Sequence, residues 1–184
     1  GPLYDQIRAD NFGPNPWDAY GPWRTKITAL LCPSDGDAQQ HQPDWNGRNS
    51  YVFNVGDTVP WAESKGSEIR GPFSFEETYP FAMISDGLSN TLAMSERCVG
   101  TGDGSSLKGG LVIHYPAVTD NPDTANPIEC LAQVGSDGRY VSGSDTRGDW
   151  TGRRWADGAT AFAMFNTILG PNGPSCWEGD WDGN

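Results

Sequence analysis

Ser50-Tyr51-Val52-Phe53-Asn54-Val55-Gly56-Asp57 is the stretch on which the fold depends. β-Branched and aromatic residues crowd its first six positions and a Gly-Asp pair closes it, the pattern of a strand ended by a turn. Upstream lies a polar loop, residues 34–49. Before that loop, Trp23, Ile27, Leu30 and Leu31 recur at spacings that predict a short helix over 23–31, stopped at Cys32-Pro33. Leu3, Tyr4 and Ile7 predict one or two helical turns over 3–9, ended by Asn11-Phe12-Gly13-Pro14-Asn15-Pro16. Downstream, Phe73 to Phe75 reads as a short strand, and Phe81-Ala82-Met83-Ile84 as an apolar segment closed by an Asp86-Gly87 turn. Thr91 to Glu96 alternates and is expected to be a second core strand, with Leu111 to Tyr115 a third. Residues 119–155 are turn-like, Thr160 to Leu169 is apolar, and the tail from Trp177 is acidic and aromatic.

The 184 residues carry 12 Lys and Arg against 24 Asp and Glu, a net charge of −12. Such a balance argues against a nucleic-acid partner, which requires a basic face. Gly and Pro are abundant, so loops dominate, but 8 Trp, 7 Phe and 6 Tyr supply apolar surface that a disordered chain lacks. The length fits one domain, 1–184. No apolar run reaches the roughly 18 residues that cross a bilayer.

Cys32, Cys98, Cys130 and Cys176 are too widely spaced for a zinc knuckle, and an even count in an acidic, Gly-rich chain reads as two disulfides in an extracytoplasmic protein. Spacing does not choose among the three pairings. Asp180, Asp182 and Asn184 alternate as oxygen ligands do in a calcium loop, with Asp120 and Asp123 a second acidic cluster and Asp35 and Asp37 a third. Ca²⁺ is the ion such loops would take, and no other cofactor is implied. Trp177 and Trp181 stand beside the terminal carboxylates, a composition that suits a glycan, whose apolar face stacks on the ring while oxygens bind its hydroxyls. Ser105-x-x-Lys108 lacks the partner motifs of a penicillin-recognising enzyme. His41 and His114 lack any nucleophile or metal signature, and Arg147-Gly148-Asp149 reads as a turn. No catalytic residue is therefore assigned.

Several segments together resemble a planctomycete family of prepilin-type, pseudopilin-like exported proteins, domain of unknown function 1559. They are Gly1-Pro2-Leu3-Tyr4; Leu31-Cys32-Pro33-Ser34-Asp35; Ser50-Tyr51-x-x-Asn54-x-Gly56; Arg70-Gly71-Pro72-Phe73; Ile84-Ser85-Asp86-Gly87-Leu88-Ser89-Asn90-Thr91 with Glu96; Phe165-Asn166-Thr167; and Pro171-Asn172-x-Pro174-Ser175-Cys176. The chain resembles the central globular part, without the leader and long apolar helix that usually open such proteins or the segment that usually closes them. The resemblance implies an α+β, pseudopilin-like fold in which an antiparallel sheet combines with short helices and long irregular loops. It implies an exported surface or filament subunit whose partners are other protein subunits, and no established activity. Small polar residues after Asp86-Gly87 can bond nearby backbone, so that signature is read as fold-defining. The expected disulfides are Cys130 with Cys176, stapling the long loop region to the tail, and Cys32 with Cys98. The leading functional expectation is a non-enzymatic extracytoplasmic subunit; the alternative is a carbohydrate-binding domain using Trp and Asp, with or without calcium.

Overall fold

The computed structural model describes residues 1–57, 70–74, 77–113 and 127–177. Three short α-helices occur among them, α1 (Pro2–Ala9), α2 (Gly36–Gln39) and α3 (Pro127–Leu131), with five strands: β1 (Tyr51–Asn54), β2 (Met94–Glu96), β3 (Leu111–Val112), β4 (Thr146–Arg147) and β5 (Met164–Phe165). The fold is α+β. β1 is the centre of a three-stranded sheet of order β2-β1-β5, antiparallel to β2 and parallel to β5. β3 and β4 form an antiparallel pair, and Cys176 bridges Val112 on the other side.

β1 forms where its composition places it, with Val52 and Asn54 buried. Residues near the other expected elements depart in instructive ways. Instead of one helix over 23–31 there are two 3-10 turns, Gly21–Arg24 and Thr28–Leu30, because Thr25 and Ile27 are extended and the Leu30 carbonyl accepts from Ser50 N–H at 2.8 Å. The second strand begins only at Met94, is exposed at Met94 and Glu96, and lies at the sheet edge rather than in the core. The chain enters that sheet late because Ile84 to Thr91 bonds to itself: Gly87 N–H to Ile84, Asn90 Nδ2 to Asp86 and Thr91 Oγ1 to Gly87 carbonyls at 3.1, 2.9 and 3.1 Å. Gly87 has φ +79°, the left-handed conformation that glycine takes without a Cβ penalty. Phe73 is not in a strand, although its N–H donates to Asn54 and its ring lies 5.0 Å from that of Phe53. Phe75 and residues 114–115 lie outside the described residues.

Segments remote in sequence converge at the end of β1. Asn54 accepts from Gly56 N–H at 2.8 Å and donates Nδ2 to the Leu92 carbonyl at 2.7 Å. Gly71 N–H donates to Val55, and Thr167 donates both N–H and Oγ1 to Gly56. A Cβ on Gly71 would stand 2.3 Å from Val55 and Gly56 backbone, so the crossing requires glycine.

The main core packs Leu111, Ile113, Trp150, Ala159, Ala161 and Phe162, with Trp177 against it; Leu31, Ala38 and Val99 form a smaller cluster. Arg97 ties the sheet to the 160–162 backbone by donating to the carbonyls of Thr160, Ala161 and Phe162 at 2.9, 3.1 and 2.7 Å. Burial pushes this guanidinium down to about 10, the cost of removing a cation from water.

Asp157 is a buried carboxyl, 2% exposed, that accepts from Ala159 N–H at 3.1 Å and faces Arg154 Nη1 at 3.5 Å. Burial pushes it above its ordinary 3.8, with the Ala159 N–H and Arg154 opposing. The folded chain thus holds this proton more tightly than the unfolded chain, so this group's contribution to stability rises as pH falls through the raised value towards 3.8. Asp157→Asn keeps an oxygen for Ala159 and removes the titration. Its urea midpoint relative to the parent should be most favourable at pH 7 and decline towards pH 4; a difference independent of pH would contradict this reading.

Cys130 and Cys176 are joined across a sequence separation of 46. The second expected bridge is not made: Cys32 is a buried and Cys98 an exposed free thiol. Those segments meet instead through Asp35, whose Oδ2 accepts from Val99 N–H at 2.9 Å, and through the packing of Leu31 with Val99. Although Cys98 is exposed overall, partial desolvation on its inner side, with the Asp35 charge adding to it, pushes the thiol up.

Candidate functional site

The folded chain gathers Trp17, Asp18, Arg24, Asp44, Trp45, Asn46, Arg48, Asp149, Arg153 and Arg154 around an open depression of about 260 Å³. Three remote segments supply its walls. Residues 17–24 are fixed by buried Trp23, whose Nε1 donates to Pro14 at 3.2 Å and whose ring meets Trp155 edge-on at 5.6 Å. Residues 44–48 are stitched to that wall by Gly47 N–H to the Trp23 carbonyl (2.7 Å) and Asn46 Nδ2 to the Pro16 carbonyl (2.9 Å). Residues 149–154 join through Trp155 N–H to Gly47 at 3.0 Å and Asn49 N–H to Gly152 at 2.9 Å. A Cβ on Gly47 would lie 2.3 Å from the Trp155 ring, so the walls meet only because that residue is glycine.

Cationic side chains are gathered here. Four of the twelve cationic residues line the depression with three carboxylates, and Asp157 facing Arg154 brings the carboxylates to four. Arg48 is 4% exposed, stacks over Trp45 at 4.6 Å and donates Nη1 to the Asp37 carbonyl. Burial, then the neighbouring Arg153 charge, pushes the Arg48 guanidinium down, while Asp37 and Asp35 pull it back. Arg153 approaches Trp45 at 5.5 Å and donates Nε and Nη2 to the Gly100 carbonyl. Arg154 lies over Phe162 and faces Asp157. Arg24 faces Asp44 at 3.7 Å, and its buried Nε has no hydrogen-bond partner among the described residues. The arrangement can pair with a negative group and exchange hydrogen bonds with hydroxyls. His41 is exposed and lines none of it.

Of the expected ligand and glycan residues, those that are described stand outside the depression. Trp177 is partly buried against the core, with its N–H donating to Val112 at 2.7 Å. Asp120, Asp123, Asp180, Trp181, Asp182, Asn184 and His114 lie outside the described residues. Asp35 caps α2, accepting from Asp37 and Ala38 N–H through Oδ1, which occupies the carboxylate that an acidic-cluster reading would give to a cation. Among the described residues no group of three or more His, Cys, Asp or Glu could hold a metal ion. Ser105 donates to Asp103 at 2.7 Å in an exposed turn where Asp103 also accepts from Arg139, so Ser105 and Lys108 do not form a nucleophile pair.

The pocket arginines were missed because they stand in ordinary surroundings one or two at a time. Trp17-Asp18, Asp44-Trp45 and Asp149-Trp150 do recur in the sequence, and each contributes to the pocket walls. Their spacing, more than a hundred residues end to end, carries no signal of that convergence.

Residues 1–169 match the family model described as a protein of unknown function, DUF1559. No curated protein and no solved structure matches. The match takes in all three walls of the depression, the convergence at the end of β1 and the self-bonded Ile84 to Thr91 segment, and the chain belongs to the DUF1559 family.

Proposed function

We propose that the chain is a non-enzymatic, extracytoplasmic pseudopilin-like subunit that assembles with other copies at a surface or in a filament. The observation that carries the proposal is the strip from Phe81 to Met94. Phe81, Met83, Leu88, Leu92 and Met94 are 75, 64, 60, 53 and 42% exposed, and the strip leads into the edge strand β2. A monomer rarely leaves so many large apolar side chains in water without a partner for them. Copies of net charge −12 repel, and this strip contains a single charge, Asp86, so it is where like-charged copies can meet. An edge strand supplies unpaired backbone groups for the same contact. The Cys130–Cys176 disulfide supports an oxidising compartment. The turn-bonded Ser85 to Thr91 gives that strip a fixed shape.

The purified full chain should sediment as assemblies that dissociate on dilution, and Leu88→Asp with Met94→Lys should shift it to monomer with unchanged circular dichroism. A parent protein that sediments as a monomer at every concentration, or a variant that assembles as the parent does, would contradict the proposal.

A further inference from the structure

We infer that one water molecule is a bound component of the folded chain, held at a buried site between Asn49, Ser50, Arg97 and Thr151. The inference does not rest on the assembly reading, because none of these residues belongs to the Phe81–Met94 strip. Asn49, Ser50 and Thr151 are 1, 0 and 2% exposed. Their side-chain oxygens Oδ1, Oγ and Oγ1, with the buried Arg97 Nε, are four of the six buried side-chain polar atoms that find no hydrogen-bond partner among the described residues. Buried polar groups rarely go unpartnered, so four at one joint require an explanation.

Backbone pairing brings the four residues together. Arg97 N–H donates to the Ser50 carbonyl at 2.7 Å, one step along the β1–β2 register, so the two side chains leave the sheet on the same face, roughly 5 Å apart at Cβ. Arg97 then reaches the carbonyls of residues 160–162, which lead into β5 on the far side of β1, so its guanidinium crosses β1 at the level of Ser50. Asn49 Nδ2 and Arg97 Nη2 meet at the Phe162 carbonyl, at 3.2 and 2.7 Å. Asn49 Nδ2 also donates to the Tyr51 carbonyl at 3.2 Å, which leaves Oδ1 as the unpaired end of the amide. Thr151 stands alongside: Gly100 N–H donates to its carbonyl at 2.8 Å, and Asn49 N–H to that of the next residue, Gly152, at 2.9 Å.

The four atoms are a set that water satisfies. Arg97 Nε only donates, Asn49 Oδ1 only accepts, and the two hydroxyls do either by rotating. A water accepts from Nε–H and one hydroxyl and donates to Oδ1 and the other, within the two to four partners usual for an internal water. An anion has no hydrogen to give Asn49 Oδ1, and a metal ion would meet the charge of the Arg97 guanidinium. Burial already pushes that guanidinium down, and a water oxygen turned towards it returns part of the hydration it loses on folding. One small neutral ligand thereby ties together segments that are remote in sequence.

The test is a double-mutant cycle on the full chain, read by urea unfolding and by oxygen-17 relaxation dispersion, which counts long-lived waters. Ser50→Ala and Thr151→Val each remove a hydroxyl and little volume. Where the hydroxyls bind a water, each variant should raise the unfolding constant about fivefold; an unpartnered hydroxyl predicts no change or a lower constant, since burying it costs free energy that alanine or valine avoids. The double variant should raise the constant by less than the product of the two single effects, because both hydroxyls hold the same ligand. Its dispersion should lack one long-lived water that the parent shows, whereas Thr151→Ser, which keeps the hydroxyl, should retain it. Single variants at least as stable as the parent, strictly multiplicative effects, or equal dispersion in the parent and the double variant would each overturn the site. Should the double variant not fold, the dispersion of each single variant, expected below that of the parent, decides in its place.

Discussion

Replacing Cys130 and Cys176 by serine should lower stability by about 4 kcal/mol in the chain-entropy model for a loop of this length. The expected size comes from the separation of 46 residues, and from what the bridge joins. Val112 N–H donates to the Ser175 carbonyl at 2.9 Å and Trp177 N–H to Val112, so residues 175–177 add a third row to the β3–β4 pair. Tyr140 clamps the same row, accepting from Ser175 N–H at 2.8 Å and donating to the Ser175 carbonyl at 3.1 Å. Without the disulfide, these bonds and the packing of Trp177 are what hold residues 175–177 among the described residues. Reversible urea unfolding of the double serine variant measures the loss. A midpoint within error of the parent would show that the tail is held by Tyr140 and Trp177 and not by the cross-link.

Arg97→Met should also be costly, about 2 kcal/mol or more, because it leaves the Thr160 and Ala161 carbonyls without their donor at roughly 1–3 kcal/mol each, whereas Phe162 keeps Asn49 Nδ2 at 3.2 Å; relief of a buried cation offsets part of the loss. Arg97→Lys should recover only part, since an ammonium does not span the carbonyls of residues 160, 161 and 162 as the planar fork does. The same urea experiment reads both variants. A loss under about 1 kcal/mol for Arg97→Met would mean that water replaces the guanidinium.

What could be read from the chain in advance follows from how local each cause is. Tyr51 to Asn54 is a strand because its own side chains favour one, and Pro2 to Ala9 is a helix because its breakers lie just beyond it. The Ile84 to Thr91 turn was legible for the same reason: its hydrogen bonds are internal. Length of β2 was not, since it is set by where that turn releases the chain. Neither were the two 3-10 turns before Cys32, which depend on Ser50 and Gly47 pairing with Leu30 and Trp23 from a distance. The Cys130–Cys176 staple agreed with its expectation, whereas Cys32 and Cys98 stay free thiols and their segments are joined by the Asp35 carboxylate and by Leu31 packing with Val99. The pocket was the least legible part. Three Asp/Trp pairs were visible, but only folding brings Arg24, Arg48, Arg153 and Arg154 to them. The acidic tail drew attention by composition, and its one described ring, Trp177, belongs to the core.

A photo-activated cross-linker placed at Leu88 of the full-length protein in its own cells reads assembly through the apolar strip. Adducts are expected at twice the mass of the chain or higher, joined between copies or to another subunit of the family, formed in an extracytoplasmic fraction and lost when Met94 is replaced by Lys. A Leu88 probe that yields only uncross-linked protein, or adducts confined to the cytoplasm, would contradict it.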